Sequence, residues 1–549
     1  MMKFIHIKNF SLILVFSPVL FCQQSDSKID FNFHLSATSI KKHLIILADD
    51  SMEGRGTGTR GEILAANYIA SKFLKYGLKP SANNKSYFQN IPMHGSTPLP
   101  SSELIIYTST ENFPLQFGKD YLLYKSGQQT FTPVPLQLIF VGYGIVAPEY
   151  DYNDYQEIDV EGKIVVFFDG EPESDNPDFF NAEVPTVYSY AASKQRIALA
   201  RGAAGSILIP NEKNISWTKL SNDFEFEDVN LAYSASSNLS ILINPELAAV
   251  LFEDAEFSYS NVIQMKEEKK LLSFPLNIKL SFRGNYIQRD FIAKNIIGIL
   301  EGSDPDLKDS YLLISAHYDH LGIGPVINGD SIYNGALDNA IGVSVLLELA
   351  KKFASSEAAK RSIIFLALTG EEKGLLGSTY YTDKPVVPLY KSIANINIDG
   401  IALFRDFRSV VGVGSEYSTL GKYLTDAASK FDIIAEDIPP EFNQFEAFNQ
   451  SDQLSFASAG IPSILVLEGL QNKNKTKDEV SNAFIDYIVN RYHTPKDDLN
   501  QNIDFNAAVQ HANLIFELAF SLANSEEMPE WNPGSPYINA RLRSIAEKK

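Results

Sequence analysis

Three short runs constrain the fold more than anything else in this chain of 549 residues. YLLISA, RSIIFLAL and SIANINI are continuous, mostly apolar stretches of strand length, and each leads into residues that can bind a proton or a cation. Unbroken apolar runs of this kind, lacking the alternation of a half-solvated strand, predict strands buried on both faces. GVSVLLELAKKF, between the first two, and LGKYLTDAASKF, after the third, carry apolar residues at helical spacing. Strand followed by helix, repeatedly, predicts an α/β fold with a doubly wound, mostly parallel central sheet flanked by helices. Ligands of such sheets bind beyond the carboxyl ends of the strands. The residues at those ends are His317-Tyr318-Asp319-His320, Thr369-Gly370-Glu371-Glu372 and Asp399-Gly400, so one crevice can collect all three groups.

Composition narrows the chemistry. Asp and Glu number 67 against 47 Lys and Arg, a formal charge of −20, which argues against a phosphate-binding surface and hence against nucleic acid as a partner. Cys22 is the only cysteine, which removes disulfides, thiolate metal sites and a cysteine nucleophile from the mature domain. The chemistry must therefore use nitrogen and oxygen groups. Lys3 and Lys8 precede the apolar run SLILVFSPVLF, which is far below the ~20 residues of a transmembrane span and reads as a signal peptide over 1–22. The mature chain is expected to be secreted or periplasmic. A lipid anchor at Cys22 is the alternative, disfavoured by the bulky Phe21 just before it.

Along the rest of the chain, RGEILAANYIASKFLKYGLKP predicts an amphipathic helix with Ile63, Ala66, Ala70 and Phe73 on one face and Gly77 and Pro80 as stop signals. From about residue 117 to 276 the texture is β-rich, with LQLIFVGYGIV, GKIVVFFDG and ARGAAGSILI set among Pro-, Asp- and Asn-rich loops. The strand and helix alternation occupies 277–549.

Taken singly, the polar groups at the strand ends are ordinary. An Asp before a helix, as in NGALDNAIG, is most often an N-cap, and a Glu-Glu pair after a strand is most often a solvated loop. Their recurrence at each strand end carries the signal, because His, Asp and Glu are the ligands of a borderline divalent metal. HYDHLG, GALDNAIG, GEEKGLLGS, NIDG and RYHTPKDD, in that order, resemble the M28 family of zinc aminopeptidases. LADDSMEGRGTGTRGEILAANYIA resembles the start of the same catalytic domain, placing 31–116 with it. The β-rich block 117–276 resembles an inserted protease-associated (PA) domain.

The resemblance implies two zinc ions per chain bridged by Asp338, one completed by His317 and Asp399 and the other by Glu372 and His493. Glu371 takes the place of the general base, and Asp319 that of the carboxylate orienting His317. Tyr492 resembles a donor to the substrate carbonyl, with simple aromatic packing as the alternative. The peptide after the bridging Asp338 is cis in this family. Gln453, in SDQLSF, stands where relatives commonly have His, leaving Asp452 to form the floor of the site, and His320 reads as a structural or rim residue. The implied substrate is a peptide; nothing in these motifs sets the oligomeric state. A metallo-carboxypeptidase would need a basic pocket, for which Arg405, Arg408 and Arg491 are candidates. A glutaminyl cyclase has one zinc and a Trp before the last His, where this chain has Tyr492 and its only tryptophans are Trp217 and Trp531. A non-catalytic module would have lost ligands that are all present here.

Overall fold

The computed structural model describes residues 34–81, 85–123, 131–174, 176, 179–180, 186–211, 216–234, 239–439 and 448–548. The signal segment and Cys22 lie outside the described residues. No helix among those described is long and apolar enough to cross a membrane.

The predicted buried strands form the centre of a nine-stranded mixed sheet. Tyr311–His317 lies parallel to Ser362–Leu368 on one side and to Ser392–Asn397 on the other, and Ser463–Glu468 continues the parallel run. Tyr286–Leu300 flanks this block antiparallel, followed outward by Phe88–Pro98 and by the edge strand Asp228–Leu231. Ser409–Val413 closes the opposite side antiparallel to Ser463–Glu468, with Ile434–Glu436 at its edge. Every residue of Ser362–Leu368 and Ser392–Asn397 is buried, as the absence of alternation demands.

Helices cover both faces. Ala37–Leu47, Arg60–Tyr76, Ile341–Ala354, Leu420–Ser429 and Phe505–Asn524 share one large apolar core with the sheet. Leu376–Asp383 and Gln453–Ser458 cover the other face, where Tyr381 and Phe456 pack against Leu313, Ile364 and Leu366. Helix Arg60–Tyr76 begins at the Thr59 cap and ends at Gly77, whose φ of 80° provides the left-handed stop. Its buried face is Glu62, Ala65, Ala66, Ile69, Ala70 and Phe73, whereas Ile63, expected inside, is 45% exposed. The inward place in the first turn belongs to Glu62, whose carboxylate accepts from Thr369, Tyr318 and the Gly58 amide.

The β-rich block is a second, eight-stranded sheet with its own cores. LQLIFV, KIVVFF and GSILI supply the strands Leu136–Val141, Ile164–Phe168 and Gly205–Ile209, which lie parallel. Its membership is wider than 117–276: Glu103–Tyr107 and Asn112–Leu115 precede that range, and Ser273–Arg283 runs past it. The two units also exchange structure, since Asp228–Leu231 leaves the second sheet to pair with Phe88–Pro98. That strand brings Phe226 and Glu227 beside the carboxyl ends of the central strands. Phe226 packs edge-on against Tyr333, and Lys373 lies over its ring.

Candidate metal centre

Each predicted ligand sits where a strand or helix gives out. His317 is the last residue of its strand, Glu371 and Glu372 follow Leu368, and Asp399 lies two residues beyond Asn397. Asp338 belongs to the irregular turn Ala336–Ala340 that leads into helix Ile341–Ala354, and His493 follows helix Lys477–Asn490 with a left-handed φ of 56°. The structure brings them together. His317 Nε2 is 3.2 Å from Asp338 Oδ1 and 3.1 Å from Asp399 Oδ1. His493 Nε2 is 3.3 Å from Asp338 Oδ2 and 3.0 Å from Glu372 Oε2.

These separations fit a metal. Donors held ~2.0–2.1 Å from a tetrahedral ion lie ~3.3 Å from one another, close to all four distances. Asp338 Oδ2 and His493 Nε2 are buried with no hydrogen-bond partner among the described residues, a cost normally avoided unless something else occupies the site. The field agrees with the geometry. Burial opposes charge on His493, but Glu372 and Asp338 outweigh it and push the imidazole up to about 10. His317 moves in the same direction: burial is overcome by Asp399, Glu371 and Asp338. Burial and Asp338 work against ionisation of Glu372, yet His493 and His320 hold it down at about 2. Such a centre calls for positive charge. Among the described residues, the groupings of donor atoms that could hold an ion all lie here.

The surrounding shell is built from backbone and buried polar groups. Asp497, in RYHTPKDD, accepts from the amides of Leu337 and Asp338 and from the Tyr487 hydroxyl. Asn339 donates to Ile398 O, and its Oδ1 accepts from the amides of Gly342 and Gly400, which ties the Asp338 turn to the Asp399 turn. The Asp338–Asn339 peptide is cis. Arg55 is wholly buried and donates to the carbonyls of Leu47, Asn334, Gly335 and Tyr318, joining the N-terminal segment to both loops that flank the centre. A guanidinium fork suits four carbonyls as an ammonium could not.

The model of peptidase family M28 matches residues 295–519, which contain every predicted ligand. Residues 295–519 are an M28 peptidase domain. Aminopeptidase YwaD of Bacillus subtilis is 28% identical over 242 residues, covering 43% of this chain and 46% of that protein. A probable zinc metalloprotease of Pyrenophora tritici-repentis is 36% identical over 122 residues, 22% of this chain and 23% of the relative. The matches thus span less than half the length of these curated relatives. An aminopeptidase from Aneurinibacillus sp. strain AM-1 superposes with a TM-score of 0.55 at 18% identity, over 90% of this chain and 95% of that one, so the fold extends to nearly the whole described chain.

Within the M28 domain, Asp319 is placed differently from its expected role. His317 Nδ1 is 3.2 Å from the main-chain oxygen of Asp319 and 3.9 Å from its Oδ1, so the carbonyl orients the imidazole. The carboxylate instead accepts from the Glu371 amide and the Thr57 hydroxyl, and burial pushes its pKa up to about 7. Outer groups of this kind are worth about 10–100-fold in metal affinity or activity. Asp319→Asn is therefore expected to lower kcat by about tenfold or more while zinc content stays close to wild type, because the group it anchors is Glu371. Steady-state rates and metal analysis of the same preparation check this, and an unchanged rate would make Asp319 a loop residue only.

Tyr492 stacks flat on His493, with ring centroids 3.8 Å apart. Asp452 is fully buried, and burial pushes its pKa up to about 6 against the charge of His317 and a hydrogen bond from Ser378. Gln453 Oε1 accepts from Asn397, at the end of the Asp399 strand, while its amide donates to Phe448 O. Arg405 is exposed, and Arg491 faces Asp486 at the surface. Trp531 donates to Gly460 O.

Proposed function

We propose that the chain is a two-zinc aminopeptidase, exported from the cytoplasm, that releases single residues from the N-termini of peptides. The observation that carries this reading is that the two oxygens of Asp338 face different partners, Oδ1 toward His317 and Oδ2 toward His493. His317, Asp338 and Asp399 would hold one ion, and Asp338, Glu372 and His493 the other. Zinc suits an all-nitrogen and oxygen donor set with two imidazoles. When bound, the pair supplies Lewis-acid activation of the scissile carbonyl and of the attacking water.

The chain's own groups do the rest. Glu371 lies outside both ligand sets, its amide is anchored on Asp319, and it is partly exposed. Burial, then the charges of Asp399, Glu372 and Asp452 against that of His317, raise its proton affinity well above that of an ordinary Glu. It takes a proton from the attacking water and passes it to the leaving amine. Asp399 and His493 are 23% and 24% exposed while the side chains of His317 and Glu372 are almost fully buried, so substrate enters from their side. Tyr492, held against His493, is the group we assign to the substrate carbonyl.

The surplus of carboxylates at Glu371, Asp399 and Asp452 attracts an α-amine and repels a terminal carboxylate, and of the three candidate arginines Arg405 is exposed and Arg491 pairs with Asp486 at the surface. This favours an aminopeptidase over a carboxypeptidase. The second sheet, which we liken to a PA domain, shapes the entrance through Phe226 and through Tyr190, whose hydroxyl accepts from Asn449. Aminoacyl anilides with free and acetylated amines test the reading. Only the free series should be cleaved; C-terminal trimming of acetylated peptides would overturn it.

A further inference from the structure

His320 lies three residues beyond His317 and belongs to neither proposed ligand set, yet it is fully buried beside both. Its Nδ1 is 2.5 Å from Glu372 Oε1 and 3.8 Å from Asp338 Oδ2. At 2.5 Å the pair makes a short hydrogen bond, closer than the ~3.3 Å that separates two donors sharing one tetrahedral ion. The other oxygen of Glu372 is the one that meets His493, at 3.0 Å. The carboxylate is thus divided, with Oε1 toward His320 and Oε2 toward His493, where it would meet the ion.

The ring cannot turn away. The His320 amide donates to Arg55 O, and the main chain of Gly335 packs on the ring so closely that a Cβ there would lie 2.5 Å from His320 Cγ. Gly335, at φ 57°, leaves the space that aims Nδ1 at Glu372. The ring's hydrogen bond to a side chain is made by Nδ1, and His320 Nε2 has no hydrogen-bond partner among the described residues.

We infer that His320 is a positioning residue: it donates from Nδ1 to Glu372 Oε1, fixes Glu372 as a one-oxygen ligand, and so keeps the roles of the adjacent Glu371 and Glu372 apart. A carboxylate free to rotate could bind through both oxygens or swing toward the substrate. The inference rests on the two-zinc reading.

The test is competition of zinc against a fluorescent chelator on the full-length, metal-stripped protein, with melting of each stripped variant alongside. Wild type should take up two ions; fewer would defeat the two-zinc reading itself. His320→Ala should keep the first ion at wild-type affinity and bind the second about 10–100-fold more weakly. His320→Asn places an amide donor where Nδ1 stood and should recover most of that loss, whereas His320→Gln, whose amide falls near the Nε2 position, should not. Equal weakening by Asn and Gln would mean direct ligation or loss of packing and would overturn the inference. So would an Ala variant with a lower metal-free melting temperature and unchanged second-site affinity. If the Ala variant fails to fold, the Asn and Gln pair decides.

Discussion

Glu371→Gln is expected to keep both ions, bind a substrate-like inhibitor and lose turnover by at least about a hundredfold. The replacement preserves size and the amide anchored on Asp319, but an amide cannot take the proton from water, and positioned general bases commonly contribute about 10²–10⁴-fold. The loss should fall on kcat, since the group acts on the reacting atoms and not on substrate binding. Glu372→Gln is the control. Its oxygen Oε2 meets His493 and its Oε1 meets His320, so that variant should lose the second ion and recover part of its rate at high zinc. Metal analysis and rates on the two proteins separate the roles, and a Glu371→Gln protein that loses metal yet turns over normally once zinc is restored would reverse them.

How much of this was legible in the sequence depended on whether each signal was local. The central strands could be read because burial on both faces removes alternation within a single run, and helix Arg60–Tyr76 because Gly77 and Pro80 mark its end. His317, Glu372 and Asp399 could be read because they sit at the ends of those strands, whereas Asp338, in a turn before a helix, and His493, after a helix, took their roles from the resemblance of GALDNAIG and RYHTPKDD. Asp228–Leu231 could not: it is four residues long and acquires meaning only by pairing with Met93 to Ser96, far away in the chain. The hairpin Glu103–Tyr107 and Asn112–Leu115 was missed for the same reason: Asn112–Leu115 is a four-residue edge strand, and Glu103–Tyr107 takes its place in the second sheet by pairing with Lys279 to Arg283, far away in the chain. Arg55, Glu62 and Asp497 are charged residues of types usually found at the surface. They are buried because carbonyls, hydroxyls and amides from distant segments satisfy them. Arg55 and Asp497 fall inside quoted motifs, EGRG and TPKDD, so a closer reading of those motifs could have raised the question. His320 was visible in HYDHLG, but its direction toward Glu372 depends on Gly335.

Stripping the metal is expected to abolish activity, with zinc restoring it fully and Co²⁺ or Mn²⁺ in part. Full activity in stripped protein would defeat the scheme. The same experiment has a pH signature. In the stripped protein His493 is raised from 6.5 to about 10 by Glu372 and Asp338 against burial. A group raised on folding contributes stability that is complete below 6.5 and is lost as pH climbs through 10. Glu372, held at about 2 against an ordinary 4.5, contributes above 4.5 and fails only as pH falls toward 2. Between pH 6.5 and 9 the stripped protein therefore loses part of what the His493–Glu372 pair contributes, as the imidazole gives up its proton. With zinc bound the imidazole would be neutral and held as a ligand, so that loss would be absent, and each bound ion would add about 2.7 kcal/mol when free zinc is a hundred times its dissociation constant. The melting-temperature gap between loaded and stripped protein should widen steadily from pH 6.5 to 9 in scans at constant free zinc. A gap that stays constant or narrows would mean that His493 is not held as a cation by Glu372 and Asp338, and that the positive charge this centre calls for is met elsewhere.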